Sequence, residues 1–345
     1  MKHILILRFR RVGDAVLSSA LCSSLRKTFP EAQIDYVLNE EIAPLFEHHP
    51  AIDRVITFNR SEMHDSQTYL KKVWQIVHAT QYDAIIDTRS TVKTLWFSLF
   101  SFKTPFRIGK QKSYNLFLHN YRFNTCFDGT DDEVGYTLRL LSPFEKRVKV
   151  HYDRNFKVVV TPEEKAAFRR KMENQGIDFS KPVMVCAVAT RLSYKMWPQE
   201  RMTQVLSKIL ETTDAQLVFN FVGKTEEAIA VQIQKDLHDH PRIFTNIEAN
   251  NLRELAAMLA NSDFFFGNEG GPRHISQALN IPSFAIYPPN IPKKDWLPNA
   301  NERFRGIEPA DVSEQANNPD LSYAEKFDFI TVDEVWSRLS FLNRL

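Results

Sequence analysis

Glycine is scarce in this 345-residue chain, with only 10 residues, and no low-complexity tract occurs, which excludes collagen-like and disordered classes. Cysteine is scarcer still: Cys22, Cys126 and Cys186 stand far apart and are odd in number. They form neither a disulfide framework nor a metal-ligand spacing, which fits a reducing, cytoplasmic compartment. No cluster of metal-ligating residue types is visible, so no metal site is expected. Long apolar runs are missing too: the longest, near 94–102, is half the length needed to cross a bilayer. The opening Met1-Lys2-His3-Ile4-Leu5-Ile6-Leu7-Arg8 is too short and too soon interrupted for a signal peptide. These absences predict a soluble cytoplasmic protein, at most peripheral to a membrane.

One sign of charge is locally absent as well. Between Asp87 and Asp128 there is no acidic residue, while Arg89, Lys93, Lys103, Arg107, Lys110, Lys112 and Arg122 occur with Trp96 and several Phe. The net charge of +2 is therefore uneven: residues 1–150 hold 21 Lys/Arg against 16 Asp/Glu, and residues 151–345 hold 23 against 26. The basic stretch suits an anionic substrate or an acidic lipid surface. Nucleic acid is not expected as a partner, because no recognised nucleic-acid motif accompanies the charge.

What is present is an alternation of strand-like and helix-like segments. Strands are expected at 3–7, 33–38, 55–58 and 84–87, with helices at 14–27, 42–47 and 69–79 between them. The pattern weakens over 112–150, where 131–141 reads as helical. It resumes with a helix from Thr161-Pro162-Glu163-Glu164, where Thr is an N-cap and acids fill the first turn. Strands at 183–187, 216–221, 243–244, 263–266 and 283–287 follow, separated by helices at 199–211, 226–237, 252–260 and 272–279. A helix over 332–345 has no strand after it. The fold class is α/β: two Rossmann-like domains with parallel sheets, facing across a cleft, with the terminal helix packing across the junction. The expected bounds are 1–155, 156–330 and 331–345.

Ligands of open parallel sheets lie beyond the carboxyl ends of the strands, so the loops there carry the chemistry. The most informative is Phe264-Phe265-Phe266-Gly267-Asn268-Glu269-Gly270-Gly271-Pro272-Arg273-His274. A strand runs into a glycine turn, and proline then occupies an early helical position. Free N–H groups and the helix dipole make such a turn an anion site, to which Arg273 and His274 can add charge and a donor. The first loop, Arg8-Phe9-Arg10-Arg11-Val12-Gly13-Asp14, is neither GxGxxG nor a Walker sequence. It sets a carboxylate beside three arginines. Asp14 is either a helix N-cap or a general base, with arginines holding an acidic acceptor. A third loop, Val188-Ala189-Thr190-Arg191-Leu192-Ser193-Tyr194-Lys195-Met196-Trp197-Pro198, offers Lys195 as a point charge for a leaving phosphate. The Gly223-Lys224-Thr225-Glu226-Glu227 turn adds acids that can meet a ribose or simply complement the helix dipole.

In this order the motifs resemble glycosyltransferase family 9, the heptosyltransferases of lipopolysaccharide core assembly. The likeness takes in Gly13-Asp14, Tyr82-Asp83-Ala84-Ile85-Ile86-Asp87, Arg107-Ile108-Gly109, Lys195-Met196-Trp197-Pro198, the Gly223 turn, and Gly267 to Ala278 followed by Tyr287-Pro288-Pro289. It implies a GT-B fold and inverting, metal-independent transfer from a nucleotide sugar, most often ADP-heptose, with no other cofactor. It implies Asp14 as catalytic base and Lys195, helped by Thr190, on the donor phosphate. Glu227 is then expected on the nucleoside and Gly270, Gly271 and His274 on the donor pyrophosphate, with Glu269 and Arg273 also counted among the donor-binding residues. Arg8, Arg10, Arg11 and Arg89 are expected on the acceptor, an anionic glycolipid or oligosaccharide reached at the cytoplasmic face of the inner membrane. The family usually reads Asn-Asp-Ser/Thr-Gly-Pro-Met-His where this chain has 268–274, so Glu269, Gly270 and Arg273 are departures. They motivate one competitor, a catalytically silent GT-B protein that binds nucleotide sugar or glycan; a sugar-nucleotide epimerase on the same architecture is another.

Overall fold

A computed structural model describes residues 1–124 and 129–339. The chain divides into two compact units, Met1–Val159 and Val160–Leu345. Cys126 and Asp128 lie outside the described residues.

The first unit contains strands β1 (His3–Leu7), β2 (Gln33–Asn39), β3 (Arg54–Phe58), β4 (Ala84–Asp87), β5 (Phe106–Lys110) and β6 (Tyr121–Phe123). They form a parallel sheet in the order β3-β2-β1-β4-β5-β6. β1 has Ile4, Leu5, Ile6 and Leu7 all fully buried, because helices cover both faces of a parallel sheet and its strands need no polar side. The helix Val12–Thr28 is buried continuously from Asp14 to Leu25. Ser18 and Ser19 survive burial by bonding backward, Ser18 Oγ to the Asp14 carbonyl at 2.7 Å and Ser19 Oγ to the Val16 carbonyl at 2.8 Å, while Ser24 Oγ donates to the Asp153 carbonyl at 3.1 Å.

The second unit repeats the plan with β7 (Val183–Ala187), β8 (Gln216–Phe219), β9 (Ile243–Phe244), β10 (Phe264–Asn268), β11 (Ser283–Ile286) and β12 (Phe304–Ile307), in the order β12-β11-β10-β7-β8-β9. Its entry helix, Pro162–Asn174, has the expected Thr161 cap, completed by Glu164 into a reciprocal capping box. The terminal helix begins at Val332. Over 332–339 it packs on the helix Gln199–Thr212, with Val335 and Leu339 fully buried in this unit's core and Lys208 paired to Asp333 at 3.2 Å. The rest of that expected helix, 340–345, is outside the described residues.

Three strands, β5, β6 and β12, and the helices Arg60–His64, Val92–Phe100, Lys293–Trp296 and Tyr323–Asp328 were not anticipated from the sequence. β5 reads Phe-Arg-Ile-Gly-Lys, so cations and glycine mask its apolar pattern. Arg107 is nonetheless buried there, because its guanidinium donates to the carbonyls of Phe102, Thr104 and Leu118 at 2.6–2.8 Å.

Candidate functional site

Both sheets have strand order 3-2-1-4-5-6 when each is numbered from its own first strand. In such a sheet the chain leaves in opposite directions from the first and fourth strands, opening a crevice at their carboxyl ends. The crevice lies between β1 and β4 in the first unit and between β7 and β10 in the second. Three of the loops singled out by sequence, those after β1, β7 and β10, border these two places, while the Gly223 turn follows β8.

In the first unit, Arg8 spans the β1/β4 crevice. It is 3% exposed, and its Nη1 approaches the Thr88 carbonyl and hydroxyl at 3.5 and 3.4 Å. Its Nη2 contacts Asp14 Oδ2 at 2.7 Å. Asp14 is the third residue of the helix Val12–Thr28, whose N-cap is Arg11 with no side-chain cap bond. The capping reading of Asp14 therefore fails, and its carboxylate is an ion-paired, mostly buried acceptor at the crevice. Arg10 and Arg11 both adopt left-handed φ, 63° and 54°. Such conformations cost roughly 1–3 kcal/mol each in residues other than glycine. The turn is held by the Arg10 N–H, which donates to Asn39 Oδ1 at 2.6 Å. Both side chains are exposed. Arg89 is half-buried, donates to the Phe9 carbonyl at 3.0 Å, and has its guanidinium acidified first by burial and then by Arg8.

In the second unit, Gly267 at φ 134° brings β10 so close to β7 that a Cβ would lie 2.4 Å from the Ala187 carbonyl oxygen. The next residue, Asn268, is 2% exposed and bridges the crevice. Its Nδ2 donates to the Ala187 carbonyl at 3.0 Å and its Oδ1 accepts from the Trp197 N–H at 2.9 Å. The Trp197 indole is fully buried and donates to the Ile330 carbonyl at 3.0 Å. The 188–198 loop is thereby pinned beside the 268–274 turn, and Lys195 is near enough to lower the Glu269 carboxyl electrostatically.

The helix Gly271–Ala278 carries His274, 2% exposed. Arg273 Nη2 lies 2.6 Å from His274 Nδ1, and a guanidinium only donates, so Nδ1 accepts and the ring proton is on Nε2. That proton faces Glu269 Oε1 at 3.2 Å. Burial would raise the Glu269 carboxyl, but His274, Arg273 and Lys195 together hold it below its ordinary range.

The remaining predicted residues are less uniformly placed. Arg273 is fully buried, and its guanidinium is committed to Gln277, His274 and the Trp296 carbonyl, so it orients His274 and does not present a cation at the surface. Thr190 Oγ1 donates within its own loop to the Leu192 carbonyl at 2.8 Å. Glu226 caps its helix by accepting from the Val222 N–H at 2.8 Å, while Glu227 is exposed. Gly270 sits at φ 169°, extended backbone open to any residue. Sequence reasoning missed Asn268 as the bridge. It also missed Glu133, which is 3% exposed and reaches Arg8 Nη2 at 3.5 Å, and Lys110, half-buried near Glu133 and Asp14. Among the described residues no three His, Cys, Asp or Glu side chains are grouped as a metal site would need.

Comparison with known proteins agrees with this geometry. The domain signature of "Glycosyltransferase family 9 (heptosyltransferase)" matches residues 70–310. Lipopolysaccharide heptosyltransferase 1 of Campylobacter coli is 22% identical over 82% of this chain and 83% of its own. A family 9 glycosyltransferase structure from Veillonella parvula aligns over 99% of this chain and 97% of its own, with a TM-score of 0.83 at 18% identity. The ADP-heptose heptosyltransferase II of Escherichia coli aligns over 100% and 99%, with a TM-score of 0.74 at 18% identity. The fold is thus GT-B, and the chain belongs to glycosyltransferase family 9, the heptosyltransferases.

Proposed function

We propose that this glycosyltransferase moves a sugar, heptose from ADP-heptose, onto a hydroxyl of a lipopolysaccharide-core acceptor with inversion at the anomeric carbon. The single observation that carries the reading is Asp14: a carboxylate in the first turn of a helix, at the β1/β4 crevice, that caps nothing and is held by Arg8. The names of the relatives support the donor and acceptor classes. In this reading the first unit binds acceptor, through Arg8, Arg10, Arg11 and Arg89. The second binds donor, through Thr190, Lys195, Glu227 and the turn Glu269, Gly270, Gly271 with His274, which Arg273 orients.

Asp14 accepts the proton of the acceptor hydroxyl as its oxygen bonds to the anomeric carbon. The bond from that carbon to the diphosphate oxygen breaks on the opposite side, and the electron pair leaves on the nucleotide. Lys195, the His274 Nε2 proton and the Gly271 N–H opening the helix Gly271–Ala278 stabilise that charge, so the scheme needs no divalent ion. Asp14→Asn is expected to abolish transfer while ADP affinity stays within a few fold. Near-full activity in that variant would remove Asp14 as the base.

Gly270, which lacks the usual hydroxyl, favours one competing reading, the silent binder. Nucleotide binding with neither transfer nor donor hydrolysis by the wild-type chain would establish it.

The acceptor reading also places the protein peripherally at the cytoplasmic face of the inner membrane. Among the described residues no helix is long and apolar enough to cross one. Two turns tied together by Arg107 expose Phe102 at 59%, Leu116 at 54% and Phe117 at 84%, amid Lys103, Lys112 and Arg122. Apolar side chains among cations suit an anionic bilayer surface. Binding to phosphatidylglycerol vesicles but not to phosphatidylcholine vesicles, lost in Phe102→Ser/Phe117→Ser, is the expected result. Equal binding to both vesicle types would contradict it.

A further inference from the structure

Glu133 lies in none of the four loops, yet it is as buried as Arg8 at the first crevice. It is the first residue of the helix Glu133–Leu138, whose Asp132 cap accepts from the Gly135 N–H at 2.9 Å. That cap fixes the helix start and with it the Glu133 side chain. Its Oε1 is 3.5 Å from Arg8 Nη2, and the same nitrogen meets Asp14 Oδ2 at 2.7 Å. The side chains of Arg8, Asp14 and Glu133 are 4%, 11% and 4% exposed. Two carboxylates thus share one edge of a buried guanidinium, whose other terminal nitrogen is directed at Thr88.

A second carboxylate is costly to bury, and a single Asp–Arg pair would hold Arg8 in place without it. Its effect is electrostatic. The charged and titratable groups around Asp14 are Arg8 just after β1, Arg89 after β4, Lys110 on β5, Tyr36 on β2, and Glu133 on the shared Arg8 nitrogen, with the exposed Arg10 and Arg11 acting on Arg89. Glu133 is the anion in that set. Taken away, it leaves Asp14 facing cations alone, and a carboxylate so placed accepts a proton less readily.

We propose that Glu133 is a positioning residue for the transfer: it divides the charge of Arg8 with Asp14, so that Arg8 orients the base without quenching it. The proposal rests on the reading of Asp14 as base.

The test compares kcat, KM for ADP-heptose and the pH profile of kcat/KM in wild type, Glu133→Gln, Glu133→Asp and Asp14→Asn. Glu133→Gln is expected to lower kcat about tenfold or more, keep donor KM within twofold, and move the acidic edge of the profile to lower pH. Glu133→Asp, which keeps the charge slightly farther from Arg8, should retain most of kcat with a smaller shift in the same direction. If Glu133→Gln does not fold, Glu133→Asp carries the test through that smaller shift. An unmoved acidic edge, whether kcat falls or not, overturns the proposal. Activity surviving in Asp14→Asn instead overturns the base reading itself, so the two failures are told apart.

Discussion

The loops that carry Asp14 and Lys195 were legible because each loop follows a strand, and strand ends are where this class of sheet presents chemistry. Their partners were not. Glu133 stands 125 positions from Arg8, and Asn268 is 71 from Trp197. No local pattern marks such pairs; the folded sheet brings them together. The paired left-handed turn at Arg10 and Arg11 was hidden for a different reason, since arginine does not advertise positive φ as glycine does. Two glycines of one loop make opposite predictions. Gly267→Ala forces a Cβ to 2.4 Å from the Ala187 carbonyl oxygen and should cost about 3 kcal/mol in urea unfolding. Gly270→Ser keeps an ordinary extended backbone and meets its nearest neighbour, Pro272, at 3.8 Å. It should cost less than about 1 kcal/mol and restore a hydroxyl to the turn.

At the scale of elements, the apolar runs of β1, β4, β7 and β10 were readable because burial on both faces leaves nothing else for them to be. β6, three half-buried residues long, and β12, with Arg305 and Gly306 at its centre, carry no such signal and are ordered by the strands beside them. The site in the second unit depends on Asn268 joining β10 to the Trp197 loop. Asn268→Ala leaves the buried Trp197 N–H without its partner and should cost about 2–3 kcal/mol. It should also raise KM for the donor more than it lowers kcat, because Lys195 is no longer held beside the turn. Equal KM in the variant would show that the loop is positioned by Trp197 and Ile330 alone.

At the scale of the molecule, the two units should answer acid differently. His49, 3% exposed in the first unit, is lowered to about 4 by burial and then by Lys157. From its unfolded value of 6.5 down to about 4 the unfolded chain takes up a proton that the folded unit refuses, so stability falls with pH across that window. In the second unit Glu164 is lowered to about 2, chiefly by the Arg253 guanidinium, and its contribution is complete above 4.5 and lost from there downward. Melting temperature should therefore begin to decline near pH 6.5, and His49→Asn should flatten the slope between 6.5 and 4. An unchanged slope would mean that other groups set it.

Sugar transfer with Asp14 as base is the chemistry proposed for this chain. Its most direct test is ADP release from ADP-heptose by wild type and Asp14→Asn, with and without a truncated lipopolysaccharide-core acceptor. Each protein's thermal shift with ADP is recorded alongside, since ligand bound to the folded state raises its melting temperature. Acceptor-dependent ADP release is expected from wild type, none from Asp14→Asn, and the same ADP-induced shift from both. Release at a similar rate by the variant, or release that ignores the acceptor, would contradict that chemistry.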